Sequence, residues 1–263
     1  MIKIFQIDAF TSKYFLGNPA AVCPLENWLD DRILQEIAEE NNLSETAFFV
    51  PDINSKKNNF AIRWFTPAAE VNLCGHATIA AAYVIYHELN WQNSIINFSS
   101  HSGQLTTKKI DENIEIIFPK AQLKKLPHNH DLAAALGANY RELYFAGEDY
   151  LTIFNNENEV KNLTPNFNLL KDFQVRGIVA SSLGEDVDFV SRAFFPRLNV
   201  NEDPVCGSAH TYLTPYWQQI LGKNSLHAKQ ISKRGGEIFC SSEGDKIILS
   251  GKCKLYLRGE IFI

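Results

Sequence analysis

The chain has 263 residues, 45% of them hydrophobic and 21% charged, with a formal net charge of −5. That apolar fraction excludes a disordered chain, and the length admits one large domain or two small ones. The negative balance argues against a nucleic-acid partner, which needs a basic surplus to neutralise phosphates. No apolar run approaches the ~18 residues of a membrane helix. The opening MIKIFQIDAF alternates like a strand and lacks the pattern of an export signal, so a cytoplasmic location is expected. Five cysteines, none in a C-x-x-C pair, read as free thiols in a reducing compartment.

In chain order, Ile2 to Ala9 alternates as a strand. Trp28 to Glu40 reads as a helix with Asp30 and Asp31 in its first turns, where the helix dipole favours anions. Thr46 to Val50 and Phe60 to Phe65 follow as strands. His76 to Glu88 is apolar on nearly every face, so this helix must be buried among strands. Ile114 to Phe118 is a strand, and Lys120 to Asp131 reads as a polar, Pro-containing connection. Ser208 to Leu221 predicts a second helix that Pro215 should kink or divide. Ile247 to Leu249 and Lys254 to Ile263 close the chain as a hairpin.

The sequence also repeats itself. Cys74-Gly75-His76-Ala77 and Cys206-Gly207-Ser208-Ala209 are 206 − 74 = 132 residues apart. Each follows an aromatic-Pro strand end, Trp64 to Pro67 and Phe194 to Pro196. Beyond the helices, Gly103 and Gly236 differ by 236 − 103 = 133, as do Ile114 and Ile247. Two stretches with nearly one offset imply tandem copies of one α/β unit. The expected fold is therefore mixed α/β (α+β): two pseudo-symmetric lobes, each a β-barrel-like sheet around a central helix. The lobes are expected at 1–117 and 118–263, with the last strand free to pack on the N-terminal lobe.

The two C-G-x-A turns sit at helix starts, where unpaired N–H groups bind anions. If both starts open on one cleft between the lobes, they would hold a carboxylate and stabilise an enolate-like charge. Cys74 and Cys206 occupy matching positions. As a thiol and thiolate pair, with pKa values lowered by the helix starts, they could move a proton between two faces of a carbon. The plainer reading makes them small buried hydrophobes. Glu45, just ahead of an apolar strand, is the rival acid/base. Asp203 could orient a substrate ammonium or hydroxyl, and His76 could donate to a substrate oxygen. His128 and His130 have no third ligand nearby, so no metal is assigned. No G-x-G-x-x-G or P-loop is present, so nucleotide binding has no support.

These residues carry a resemblance. Ile4 to Val22, Asn41 to Phe49, Arg63 to Ala82, Arg192 to Trp217 and Gln230 to Gly251 together resemble the phenazine biosynthesis PhzF-like proteins, which share the diaminopimelate-epimerase-like fold. The resemblance implies an isomerase without cofactor or metal, acting on a small carboxylate-bearing metabolite, and a homodimer. It implies Glu45 as the proton shuttle, with His76, Asp203 and Ser208 lining the pocket. Backbone N–H groups of Gly75, Gly207 and Ala209 would bind the carboxylate. Cys206 stands where many relatives carry Thr. Two-thiol racemases carry Cys at both places, so a two-thiol amino-acid racemase or epimerase using Cys74 and Cys206 remains an alternative. A non-catalytic ligand-binding protein of the same fold is another.

Overall fold

The computed structural model describes residues 1–52 and 59–263. In chain order it contains β1 (Ile2–Ala9), β2 (Asn18–Pro24), α1 (Asp31–Asn41), β3 (Glu45–Pro51), β4 (Asn59–Phe65), β5 (Glu70–Val71), α2 (Gly75–His87), β6 (Ile95–Ser100), β7 (Gly103–Ile110) and β8 (Asn113–Pro119). There follow β9 (Leu123–Leu126), α3 (His130–Leu136), β10 (Glu142–Ala146), β11 (Asp149–Ile153), α4 (Glu157–Lys161), α5 (Phe167–Leu170), β12 (Gly177–Leu183) and β13 (Phe189–Phe195). The chain ends with β14 (Val200–Asp203), α6 (His210–Leu221), β15 (Ser225–Gln230), β16 (Gly236–Glu243), β17 (Lys246–Gly251) and β18 (Cys253–Ile261). This is the mixed α/β architecture expected, mostly strands. Among the described residues no helix is long and apolar enough to cross a membrane.

The chain divides into two compact units, Met1–Phe118 with Ile248–Ile263, and Pro119–Ile247. The boundary falls one residue beyond the expected 117, and residues 248–263 belong with the first unit. In the first unit β18 and β2 flank β1 antiparallel, β2 runs parallel to β3, and β3 antiparallel to β4. β4 then meets β5 antiparallel and β6 parallel, and β6 leads antiparallel to β7 and β8. The second unit repeats that scheme as far as the counterpart of β7. β9 and β11 flank β10 antiparallel, β11 is parallel to β12, and β12 antiparallel to β13. β13 meets β14 antiparallel and β15 parallel, and β15 pairs with β16. The duplication read from two sequence offsets is thus a duplication of topology.

α2 is apolar all round because it is enclosed. Ten of its residues, from His76 to Tyr86, are buried, and it packs on β1, β2, β3 and β18. Each large aliphatic side chain hidden this way contributes roughly 1.5–3 kcal/mol before entropy is counted. α1 is amphipathic, burying Leu34, Ile37 and Ala38 against Phe48 and Phe65. Asp30 proves to be its N-cap, accepting from the Arg32 N–H, with only Asp31 in the first turn.

Two local expectations need correction. Pro215 lies inside α6, yet the helix runs unbroken from His210 to Leu221. The Thr211 carbonyl, which a residue with an N–H at 215 would have engaged, instead accepts from the Ala121 N–H at 3.3 Å. The orphaned acceptor is satisfied from outside the helix, so the usual reason to break is removed. Lys120 to Asp131 is also more than a connection. Its Leu123–Leu126 stretch pairs with β10, filling in the second unit the place β18 fills in the first.

Candidate active site

In the first unit three elements converge. The β1–β2 turn delivers Asn18, the start of β3 delivers Glu45, and the start of α2 delivers Cys74 and His76. Gly17 makes the turn possible: its φ is +73°, and a Cβ there would lie 2.3 Å from the Ala9 carbonyl oxygen. Cys74 is the N-cap of α2 in an extended conformation, and its side chain caps nothing. The Gly75, His76 and Ala77 N–H groups therefore have no carbonyl within the helix to bond.

The polar groups form a chain. Ser44 Oγ donates to Asn18 Oδ1 at 3.1 Å, which fixes the amide so that Asn18 Nδ2 faces His76 Nδ1 at 3.2 Å. A neutral His76 ring then accepts at Nδ1 and carries its proton on Nε2. Nε2 lies 3.1 Å from Glu45 Oε2, and Cys74 Sγ lies 3.5 Å from Nδ1. His76 and Glu45 approach without hydrogen-bond alignment. Both atoms are buried and neither has another partner. Such orphaned buried atoms cost stability and are kept where a site needs them.

Burial alone would lower the His76 imidazole. The acidic neighbours Cys74 and Glu45 outweigh it and hold the ring well above its ordinary value. Burial, then the Glu45 charge, pushes the Cys74 thiol up to about 11. Cys206 is raised as well, first by burial and then by the Asp203 charge. The sequence reading expected helix starts to lower both thiols. Complete burial overrides that effect, because water no longer solvates a thiolate.

In the second unit Cys206, Gly207, Ser208 and Ala209 form a tight turn. The His210 N–H bonds the Gly207 carbonyl at 3.0 Å and the Thr211 N–H the Ser208 carbonyl at 3.1 Å. Gln230 secures the turn, accepting the Cys206 N–H through Oε1 at 2.8 Å and donating to the Asp203 carbonyl at 2.6 Å. Ser208 Oγ lies 3.3 Å from Cys206 Sγ and accepts from Arg176 Nη2 at 3.0 Å. Arg176 grips the fully buried Asp149 through Nε at 2.9 Å and through Nη2, and Tyr212 donates to Asp149 at 2.9 Å. Asp149 outweighs the burial of Arg176 and keeps its guanidinium firmly charged.

The structure brings Glu45, Cys74, Gly75 and His76 together in the first unit, and Asp203, Cys206, Gly207, Ser208 and Ala209 in the second. It adds Ser44, Asp149, Arg176 and Gln230, which motif reading did not assign, and gives Asn18, expected only as a pocket-lining residue, a place beside His76. Among the described residues one group of side chains has donor atoms close enough to share a metal ion, namely Glu45, Cys74 and His76.

The family model for the phenazine biosynthesis-like protein matches residues 7–259. The chain belongs to the phenazine biosynthesis-like family. It is 44% identical over 262 residues to an "Uncharacterized isomerase" of Pseudomonas aeruginosa, covering 100% of this chain and 99% of that protein. A crystal structure of a phenazine biosynthesis protein of the PhzF family from Enterococcus faecalis superposes with a TM-score of 0.95 at 41% identity, covering 100% of this chain and 99% of that one. A "Predicted Epimerase" of Pseudomonas aeruginosa shares the fold at a TM-score of 0.78 and 17% identity, over 100% of both chains. The family membership named from five sequence stretches is therefore established over nearly the whole chain.

Proposed function

We propose that this isomerase-type member of the phenazine biosynthesis-like family moves a proton within a small carboxylate-bearing metabolite, with Glu45 as base and then acid. The observation that carries this reading is the Glu45–His76 contact. A carboxylate oxygen and an imidazole nitrogen stand 3.1 Å apart, buried and without aligned partners. Glu45 takes a proton from a substrate carbon and returns it to another. His76 stays beside the carboxylate through the Asn18–Ser44 chain. Its Nε2–H either faces the Glu45 carboxylate before the transfer or donates to a substrate oxygen as negative charge builds there. Gly75, at the start of α2 beside Glu45, offers a backbone N–H for the substrate carboxylate. No cofactor is needed for a proton transfer of this kind. A homodimer and a cytoplasmic location belong to the same reading.

The isomerase names of the relatives support the reaction type. The burial of Cys74 and Cys206, each 5% exposed, speaks against a thiol pair as the working bases. The test is exchange in heavy water. Wild-type protein incubated with a panel of small hydroxylated and amino carboxylates in D2O exchanges one carbon-bound hydrogen, read by NMR. Glu45→Gln loses that exchange by roughly 10²–10⁴-fold with its circular dichroism unchanged. Full exchange in Glu45→Gln, or loss of exchange in Cys206→Ala alone, overturns the assignment.

A further inference from the structure

The same three side chains have a second chemistry. We infer that Glu45, Cys74 and His76 form a site for a borderline divalent cation of the Zn2+ type, binding in the absence of any substrate. Carboxylate, thiolate and imidazole are the donor types zinc selects, and three protein ligands leave one position open. One donor atom from each of the three residues lies within 4.8 Å of the others. Glu45 Oε2 and His76 Nε2 are 3.1 Å apart and buried without aligned partners. Two atoms bonded tetrahedrally to one zinc at ~2.0–2.1 Å lie about 3.3 Å apart, so this pair is already spaced as a chelate.

The surroundings suit the ion too. His76 binds through Nε2, which leaves the proton on Nδ1. Asn18 then turns its amide to accept that N–H through Oδ1, and the Ser44 hydroxyl changes from donor to acceptor. The Cys74 thiol proton leaves to solvent and the single His76 proton moves from Nε2 to Nδ1; Cys74 Sγ, 3.5 Å from Nδ1, turns from that nitrogen toward the ion, which takes one lone pair from each. His128 and His130 make a poorer candidate: their rings are 4.8 Å apart, but no third donor joins them among the described residues. A metal held here would occupy the Glu45 carboxylate and inhibit the isomerase. That consequence rests on the proposed function, whereas binding does not.

The full chain is titrated with Zn2+ by calorimetry and with Co2+ by absorption, without substrate. One ion per chain is expected, with a sulfur-to-cobalt charge-transfer band. Cys74→Ser abolishes the band and Cys206→Ser keeps it. Glu45→Gln and Asn18→Leu weaken Zn2+ binding by about 10–100-fold, while Asn18→Asp, which keeps an acceptor beside Nδ1, does not. Circular dichroism establishes that each variant is folded. No saturable binding by the wild-type chain, or a band that survives Cys74→Ser, overturns the assignment. Because no turnover is measured, either result stands apart from the fate of the isomerase reading.

Discussion

Acidification should destabilise this protein through His210, and the size of the effect follows from its surroundings. His210 is fully buried in the first turn of α6. Its Nδ1–H donates to the Cys206 carbonyl at 2.8 Å, and Nε2 has no partner. Burial lowers its pKa from 6.5 to about 4, with only the Cys206 carbonyl pulling the other way. The unfolded chain therefore binds a proton that the folded chain refuses. The folded pKa is depressed, so stability is fully present above pH 6.5 and is lost as pH falls toward 4. Linkage makes the loss about 2 kcal/mol between pH 7 and pH 5. Thr78 suggests the control. It stands four residues after Cys74, as His210 stands four after Cys206, and its hydroxyl donates to the Cys74 carbonyl at 2.6 Å. His210→Thr should keep the carbonyl bond and remove the titrating group. Urea unfolding of both proteins at pH 7 and pH 5 isolates the effect, because carboxylates and the gap left by the smaller side chain cancel in the double difference. Equal losses in wild type and variant would refute the reasoning.

Pro215→Ala should gain less than ~1 kcal/mol in denaturant unfolding, against the ~3 kcal/mol usual for removing a helix-interior proline, because Ala121 already satisfies the Thr211 carbonyl. Tyr212→Phe should cost about 1.5–3 kcal/mol, since it strips one hydrogen bond from the fully buried Asp149 carboxylate. A thermal melt indistinguishable from wild type would contradict that network. Gly17→Ala should cost more than ~2 kcal/mol, from the positive φ and the 2.3 Å clash with the Ala9 carbonyl. It should also slow heavy-water exchange, because Asn18 follows directly.

Much of the site was legible because the chemistry is local in sequence. Cys74, Gly75 and His76 are consecutive, and Glu45 opens the strand predicted from Thr46. The helix that is apolar on every face announced its own burial. The polar support was hidden for a physical reason. Asn18, Ser44, Asp149 and Arg176 reach their partners across strands: Asn18 and His76 are 58 positions apart, and Arg176 and Ser208 are 32 apart. No periodicity encodes such a pairing. Pro215 misled because its cost depends on where one carbonyl goes, and the Ala121 N–H that meets it comes from a distant turn. The Leu123–Leu126 strand was obscured by two lysines, Lys124 and Lys125, which lie exposed on an otherwise ordinary strand.

The two copies differ at the place of Glu45. Thr46 pairs with Phe65, two residues before Pro67, and Ile178 pairs with Phe194, two residues before Pro196. Glu45 and Gly177 therefore hold the same place in the two copies, as do Ser44 and Arg176. No side chain fits at 177, since a Cβ there would lie 2.2 Å from the Phe195 ring. At the place of Glu45 the second copy thus carries no side chain, and at the place of Ser44 it carries Arg176, stacked on Phe195 at 5.3 Å and bonded to Ser208. Inverting a stereocentre by direct exchange needs two proton carriers, one for each face. The proposed transfer, in which a single carboxylate takes a proton and gives it back, calls for only one, and the place of Glu45 in the second copy needs no acid. The divergence of the copies at 45 and 177 therefore fits the proposed transfer by one carboxylate and excludes a matched pair of carboxylates.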